Sequence, residues 1–187
     1  MLFLTSFQIA RAQTQLATVQ LNPYPQAASY NPVTNKIYVV DEPTSEVAEI
    51  DGISFQATLI SLGPTSQQAL NAAIRINPNT NLIYVTNVVD NNIAIVSGAT
   101  HAVSFVAAGV NPVAMEINLV TNKLYVANFG SNTVTVLNGA TNSVKSLNVG
   151  ASPSAIAINP ITNATSASLT VTTTLSRKYP CRPFHSF

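Results

Sequence analysis

Charge is scarce in this 187-residue chain. Lys, Arg, Asp and Glu together make up 8% of it, against 47% hydrophobic residues. So little charge excludes an acidic or basic disordered tail, which stays unfolded because charge outweighs apolar content. The formal net charge is +1. Nucleic acid, bound chiefly through its phosphates, is therefore excluded as an electrostatically captured partner. What charge there is lies unevenly. Residues 13–160 hold four bases (Lys36, Arg75, Lys123, Lys145) and all seven acids, a net of −3, and Arg11, Arg177, Lys178 and Arg182 supply the remainder.

Cysteine is as scarce. Cys181 stands alone, so no disulfide forms within the chain and cysteine usage says nothing of the compartment. With His101 and His185 it shows none of the spacings of a metal site. No apolar run approaches the roughly 20 residues that span a bilayer as a helix. Serines are plentiful, but no Gly-x-Ser-x-Gly elbow is present. No catalytic residue, metal or cofactor is assigned on these grounds.

What the chain does have is a repeat. Asn31-Pro32-Val33-Thr34-Asn35-Lys36-Ile37-Tyr38-Val39-Val40 returns as Asn77-Pro78-Asn79-Thr80-Asn81-Leu82-Ile83-Tyr84-Val85-Thr86. It returns again as Asn118-Leu119-Val120-Thr121-Asn122-Lys123-Leu124-Tyr125-Val126-Ala127, and its first half as Asn159-Pro160-Ile161-Thr162-Asn163. The second Asn falls at 35, 81, 122 and 163, in steps of 46, 41 and 41. A period of roughly 40 residues built of short apolar segments is the pattern of propeller blades. The expected fold is all-β: an incomplete β-propeller of three four-stranded antiparallel blades and a partial fourth.

The strands read off directly. In the third repeat, Met115-Glu116-Ile117 is the first strand, Lys123 to Ala127 the second, Thr133 to Leu137 the third and Ser143 to Val149 the fourth. Alternation and β-branched residues support each. The turn between the first two uses Asn for a left-handed backbone, and Asn138-Gly139 opens the hairpin between the last two. Tyr38, Tyr84 and Tyr125 precede Asp51, Ser97 and Asn138 by one constant interval, so the second and third strands keep one register. The extra length of the first repeat lies in 64–71, because the stretch from Gly63 to Asn77 is longer than that from Gly109 to Asn118. The blades are set at 27–63, 73–109 and 114–150, with a partial one at 154–163. Residues 14–22 align with an outer, fourth strand, and the divergent tail 164–187 is expected not to rebuild the second to fourth strands of a blade. Met1 to Ala12 is apolar and ends in Ala10-Arg11-Ala12, a small-x-small site that reads as the remnant of an export signal. The expected location is secreted, periplasmic or cell-surface.

Tyr84-Val85-Thr86-Asn87 and Tyr125-Val126-Ala127-Asn128, set within Asn-Pro-x-Thr-Asn and Asn-Gly-Ala-Thr-Asn, resemble the YVTN family of β-propeller repeat proteins over residues 14–163. Tyr38-Val39-Val40-Asp41 departs at its last position. The resemblance implies a seven-bladed ring, often in exported or surface-layer proteins. It leads to a non-catalytic scaffold for protein, glycan or surface. A fragment of a lactonase-like or redox-associated propeller enzyme is the alternative, and a truncated copy without independent function a third. An arc of three to four blades leaves an apolar face uncovered at each end, and self-assembly to close the ring would cover both.

Candidate ligand-binding residues fall in two places. The first-strand position filled by Ser29, Arg75, Glu116 and Ala157 should line the central channel, with Arg75 and Glu116 meeting as an ion pair between blades. Asp41, Glu42, Asp90 and Asn91 lie in the loops joining second to third strands, and Gln67 and Gln68 in the insertion. These loops share one face, the face that departs most from the repeat, which is where binding concentrates. His101 is read as a solvent-facing turn residue.

Overall fold

A computed structural model of the chain describes residues 19, 21, 24–41, 44–63, 71–159 and 165–168. Among them there is no helix. Blade 1 is built from β1 (Pro25–Asn31), β2 (Lys36–Asp41), β3 (Glu46–Asp51) and β4 (Ala57–Ser61). Blade 2 is built from β5 (Asn71–Asn77), β6 (Leu82–Asn87), β7 (Asn92–Ser97) and β8 (Val103–Ala107). Blade 3 follows with β9 (Pro112–Asn118), β10 (Lys123–Asn128), β11 (Thr133–Asn138) and β12 (Val144–Asn148). Each is a four-stranded antiparallel meander with its strands in sequence order. β13 (Ala155–Ile158) and β14 (Thr165–Ser168) form a separate two-stranded pair.

The turns explain the regularity. Asn35, Asn81 and Asn122 all take φ between 50 and 53°, the left-handed region that Asn tolerates best after Gly. At the next turn Phe55, His101 and Asn142 take φ of 57 to 60°. With both turns fixed, the register follows: Tyr38 pairs with Glu49, Tyr84 with Ile95 and Tyr125 with Val136.

The blades stack face to face, and the core lies in the seams between them. The trailing face of blade 1 brings Tyr38, Val40, Val47, Ile60 and Leu62 against Ile74, Ile76, Ile83, Val85, Ala94 and Val96 of blade 2. The next seam packs Tyr84, Ile93 and Ile95 against Met115, Leu124, Val126 and Leu137. Burial of this much apolar side chain is the main stabilising contribution, at roughly 25 cal/mol per Å².

The seams are also stitched by amides. The buried Asn31 donates from Nδ2 to Asn81 Oδ1 of the next blade at 2.9 Å, and Asn77 donates to Asn122 Oδ1 at 2.8 Å. The oxygens of the same donors cap their own turns, through Val33 N–H at 3.0 Å and Asn79 N–H at 3.0 Å. The accepting Asn packs on a glycine: a Cβ on Gly98 would lie 2.5 Å from Asn81 Oδ1, and one on Gly139 would lie 2.4 Å from Asn122 Oδ1. Each repeat thus carries a donor Asn, an acceptor Asn and the glycine that makes room for it.

The tail departs from expectation in one respect. Residues Thr165–Ser168 do pair as a second strand, with Ile158 opposite Thr165 and Ala155 opposite Ser168. This is the register of Ile117 opposite Leu124 in blade 3, moved on by one repeat of 41. The pairing keeps the repeat's sequence spacing even where the Lys-Ile-Tyr-Val residues are gone. Residues 169–187, the proposed signal remnant 1–12 and residues 64–70 of the insertion lie outside the described residues. Of the proposed outer strand 14–22, Val19 and Leu21 are described; neither is in a strand, and both pack on Val39, Ala48 and Ile50 of blade 1.

Candidate functional site

The first strands hold Ser29, Arg75, Glu116 and Ala157 at one register position, opposite Tyr38, Tyr84, Tyr125 and Ser166. Arg75 Nη2 and Nε each lie 3.3 Å from Glu116 Oε2 in the neighbouring blade. Arg75 Nη1 also donates to the Ile74 carbonyl at 2.9 Å. The guanidinium is 40% exposed and the carboxylate 31%, so this is a solvated ion pair on the inner edge, worth about 1 kcal/mol or less.

Asp90 and Asn91 are engaged by neighbouring loop groups. Asp90 accepts from Asn87 Nδ2 at 3.0 Å, and its N–H donates to Asn87 Oδ1 at 3.1 Å. Asn91 sits at φ 52° and accepts the N–H of Asn111, from the connection to blade 3, at 2.8 Å. Asp41 ends β2, is buried, and borders a small apolar cavity with Leu21, Pro25, Val39 and Leu59. Glu42, Gln67 and Gln68 lie outside the described residues. Of the proposed binding residues, the structure therefore brings together Arg75 and Glu116. Among the described residues no group of three or more His, Cys, Asp and Glu side chains converges on a possible metal position.

The densest polar cluster was not anticipated. Glu49, buried in β3, accepts from Lys36 Nζ and from Tyr38 Oη at 2.8 Å, and its Oε2 lies 3.1 Å from His101 Nε2 of blade 2. Burial pushes the Glu49 carboxyl up, but hydrogen bonds from Lys36, Tyr38 and His101 outweigh it and hold the group below its ordinary value. The Tyr38 hydroxyl is pushed up, first by burial and then by the hydrogen bond and charge of Glu49. His101 is thus a turn residue that, although its side chain stays partly exposed, also clasps blade 2 to blade 1. Its left-handed backbone, φ 60°, projects the ring back over the preceding blade. One signal was present in the sequence: Glu49 stands where the other repeats have Ile95 and Val136. An acid inside a β-branched strand marks a partner elsewhere.

Lys36, Tyr38 and His101 converge on the Glu49 carboxylate, with the Lys36 and His101 side chains still partly exposed. A different space lies farther along, where Glu116, Asn118, Leu119, Ile156 and Ile158 line an open groove of about 370 Å³ between β9 and β13.

No family model and no curated protein matches the chain. Solved structures do. It is similar to hydrazine synthase of Kuenenia stuttgartiensis, with a TM-score of 0.67 and 17% identity over 80% of this chain and 43% of that one. A putative 6-phosphogluconolactonase from Bacteroides fragilis gives 0.58 and 16%, over 70% and 40%. The WD40 repeats of RRP9 give 0.63 and 15%, over 73% and 42%. These likenesses show the fold, a set of β-propeller blades. The chain spans less than half the length of each of these structures.

Proposed function

We propose that this chain is a non-catalytic, exported propeller scaffold of the YVTN repeat type that binds protein, glycan or a cell surface. The observation that carries the reading is the fate of the charges. Arg75 is spent on Glu116 and Glu49 on Lys36, Tyr38 and His101, each in contacts between or within blades. Asp51 is held below the usual carboxylate range by the backbone N–H groups of Ser54 and Ile53, with the Ser54 hydroxyl adding to them, and caps its own turn. Charges used this way build a frame rather than an acid–base pair, which needs a group poised near the working pH. The likeness to WD40 repeats supports a scaffold, and the YVTN-like motifs and Ala10-Arg11-Ala12 support export. Self-assembly that closes the ring belongs to the same reading.

The binding face is the one bearing loops 41–46, 64–71, 87–92 and 128–132. Binding of the purified chain to bacterial cell-wall preparations and to immobilised glycans tests this, beside a variant lacking residues 64–70 and carrying Asp41→Ala and Asp90→Ala. The reading predicts retention by wild type and loss in the variant. Turnover of a sugar lactone, rising with added divalent metal, would contradict it and favour the lactonase-like alternative.

A further inference from the structure

Each blade leaves its third strand through a residue followed by glycine: Asp51-Gly52, Ser97-Gly98 and Asn138-Gly139. The backbone is the same in all three. The glycine N–H donates to the carbonyl of Asn35, Asn81 or Asn122 at 2.8 to 2.9 Å. The N–H groups of Phe55, His101 and Asn142 donate back to the carbonyls of Asp51, Ser97 and Asn138 at 2.8 to 2.9 Å. The side chains cap alike. Asp51 Oδ1 accepts from the Ile53 N–H at 2.9 Å, Ser97 Oγ from the Thr100 N–H at 3.2 Å and Asn138 Oδ1 from the Ala140 N–H at 2.9 Å. Three residues of different chemistry fit one turn, and they differ in what can happen to them there.

Asn138 is the one asparagine of the chain that precedes a glycine. The carbon of an asparagine side-chain amide is an electrophile within reach of the next backbone nitrogen. Glycine, with no Cβ, leaves that nitrogen least obstructed. The bond from Ala140 folds the Asn138 amide back over the peptide that joins it to Gly139. The hydrogen bond from Gly139 to Asn122 holds the nitrogen back, and that restraint is light. Residues 140–143 are exposed, and β12 beyond them is exposed along its whole length. The outer strands of the other blades are better anchored: Ile60 of β4 is buried, and Val103 and Val106 of β8 pack against the seams. An exposed hairpin opens locally at a small fraction of the global unfolding free energy.

We propose that Asn138 is a site of spontaneous deamidation in the folded protein, and that its isoaspartate product loosens the seam between blades 2 and 3. The Gly139 nitrogen gives its proton to solvent and bonds to Asn138 Cγ. The Cγ–Nδ2 bond breaks and ammonia leaves. Water then opens the five-membered imide. Breaking the new Cγ–N bond restores the backbone with aspartate at 138. Breaking the old C–N bond leaves isoaspartate, whose backbone runs through Cβ. One water is consumed and one ammonia released, and nothing is oxidised or reduced. The two products have different consequences. Aspartate is what blade 1 already carries in this turn. Isoaspartate lengthens the backbone by one carbon beside Gly139, where a Cβ would lie 2.4 Å from Asn122 Oδ1. That oxygen accepts the Asn77 amide, the stitch between blades 2 and 3. Asp51-Gly52 serves as the comparison. Hydrogen bonds from the Ser54 and Ile53 N–H groups and the Ser54 hydroxyl hold its carboxylate below the usual range. An ionised carboxylate resists attack by nitrogen, so this pair should outlast Asn138-Gly139.

Incubation of the full chain at mildly alkaline pH tests it, with peptide mapping by mass spectrometry and isoaspartyl methyltransferase labelling. Acid at position 138 should appear several-fold faster than at any other asparagine, and faster than isoaspartate at position 51. Asn138→Ser copies blade 2; it should keep the fold and remove the fast conversion. Asn138→Asp should melt with wild type, whereas the separated isoaspartate form should melt lower and lose amide-exchange protection in β6 and β10. The same chain in denaturant gives the unrestrained rate. Three results would each overturn the proposal: an amide at 138 that survives in the folded chain while the denatured chain converts, a first conversion at another asparagine, or an isoaspartate form as stable as wild type.

Discussion

The hydroxyl of Tyr38 donates to Glu49 at 2.8 Å, deep in the first seam. Tyr84 occupies the same place one blade on, fully buried, yet Ile95 stands where Glu49 stood, and among the described residues its hydroxyl meets no partner. Two tyrosines equivalent in the repeat therefore differ in what their hydroxyls contribute. Tyr38→Phe should lower the unfolding free energy by about 1–3 kcal/mol, since it leaves the buried Glu49 one donor short. Tyr84→Phe should be neutral or raise it by about 1 kcal/mol, because a buried unpaired hydroxyl costs free energy. Denaturant unfolding of the two variants side by side checks this, and equal losses would refute it.

Glu49 also predicts an acid limb. Its folded-state value lies below the ordinary 4.5. The stabilisation it gives is therefore fully present above about pH 4.5 and is lost as pH falls through the depressed folded value. Glu49→Gln should be less stable than wild type at neutral pH, and the gap should narrow as the solution is acidified below 4.5. A gap independent of pH would mean that the charge of Glu49 is not what its three partners hold.

At the inner edge, the Arg75–Glu116 pair is solvated, so a double-mutant cycle with alanine at both positions should give a coupling of about 0.5 kcal/mol. The coupling should shrink at high salt. A coupling above about 2 kcal/mol would mark a desolvated pair and a tighter channel than this one.

The seam amides predict the largest single-residue losses away from the apolar core. Asn77→Ala removes both the bond to Asn122 and the cap on Asn79, and should cost about 1–3 kcal/mol. Gly98→Ala places a Cβ against the Asn81 amide and should cost a similar amount by breaking the Asn31–Asn81 bond. Gly63→Ala meets no neighbouring atom, and its φ of 87° leaves a penalty of about 1 kcal/mol from backbone strain alone. Thermal unfolding ranks the three.

Blades, strand order and register were legible in the sequence because they are written locally. The turn Asn residues at 35, 81 and 122 and the constant interval from Tyr38 to Asp51 fix φ and pairing within one short stretch of chain. The Arg75–Glu116 contact was legible too, because it joins equivalent positions of adjacent repeats. The Glu49–His101 clasp was not. Its partners are 52 residues apart, occupy different places in the repeat, and meet only because a left-handed turn aims one blade at the last. β14 escaped for the opposite reason: its sequence has lost the motif, while its distance along the chain from β13 keeps the repeat's spacing.

Amide hydrogen exchange tests the central claim, that the molecule is held together at the seams between blades. The second and third strands of all three blades, β2, β3, β6, β7, β10 and β11, line those seams and carry most of the buried residues. They should exchange last, whereas β12, exposed along its whole length, should exchange first among the blade strands, since protection tracks burial and local stability. In Asn77→Ala the second seam should lose protection on both sides, β6–β7 and β10–β11 together, with β2–β3 unchanged. Protection lost uniformly over the chain, or confined to the mutated strand, would contradict the account.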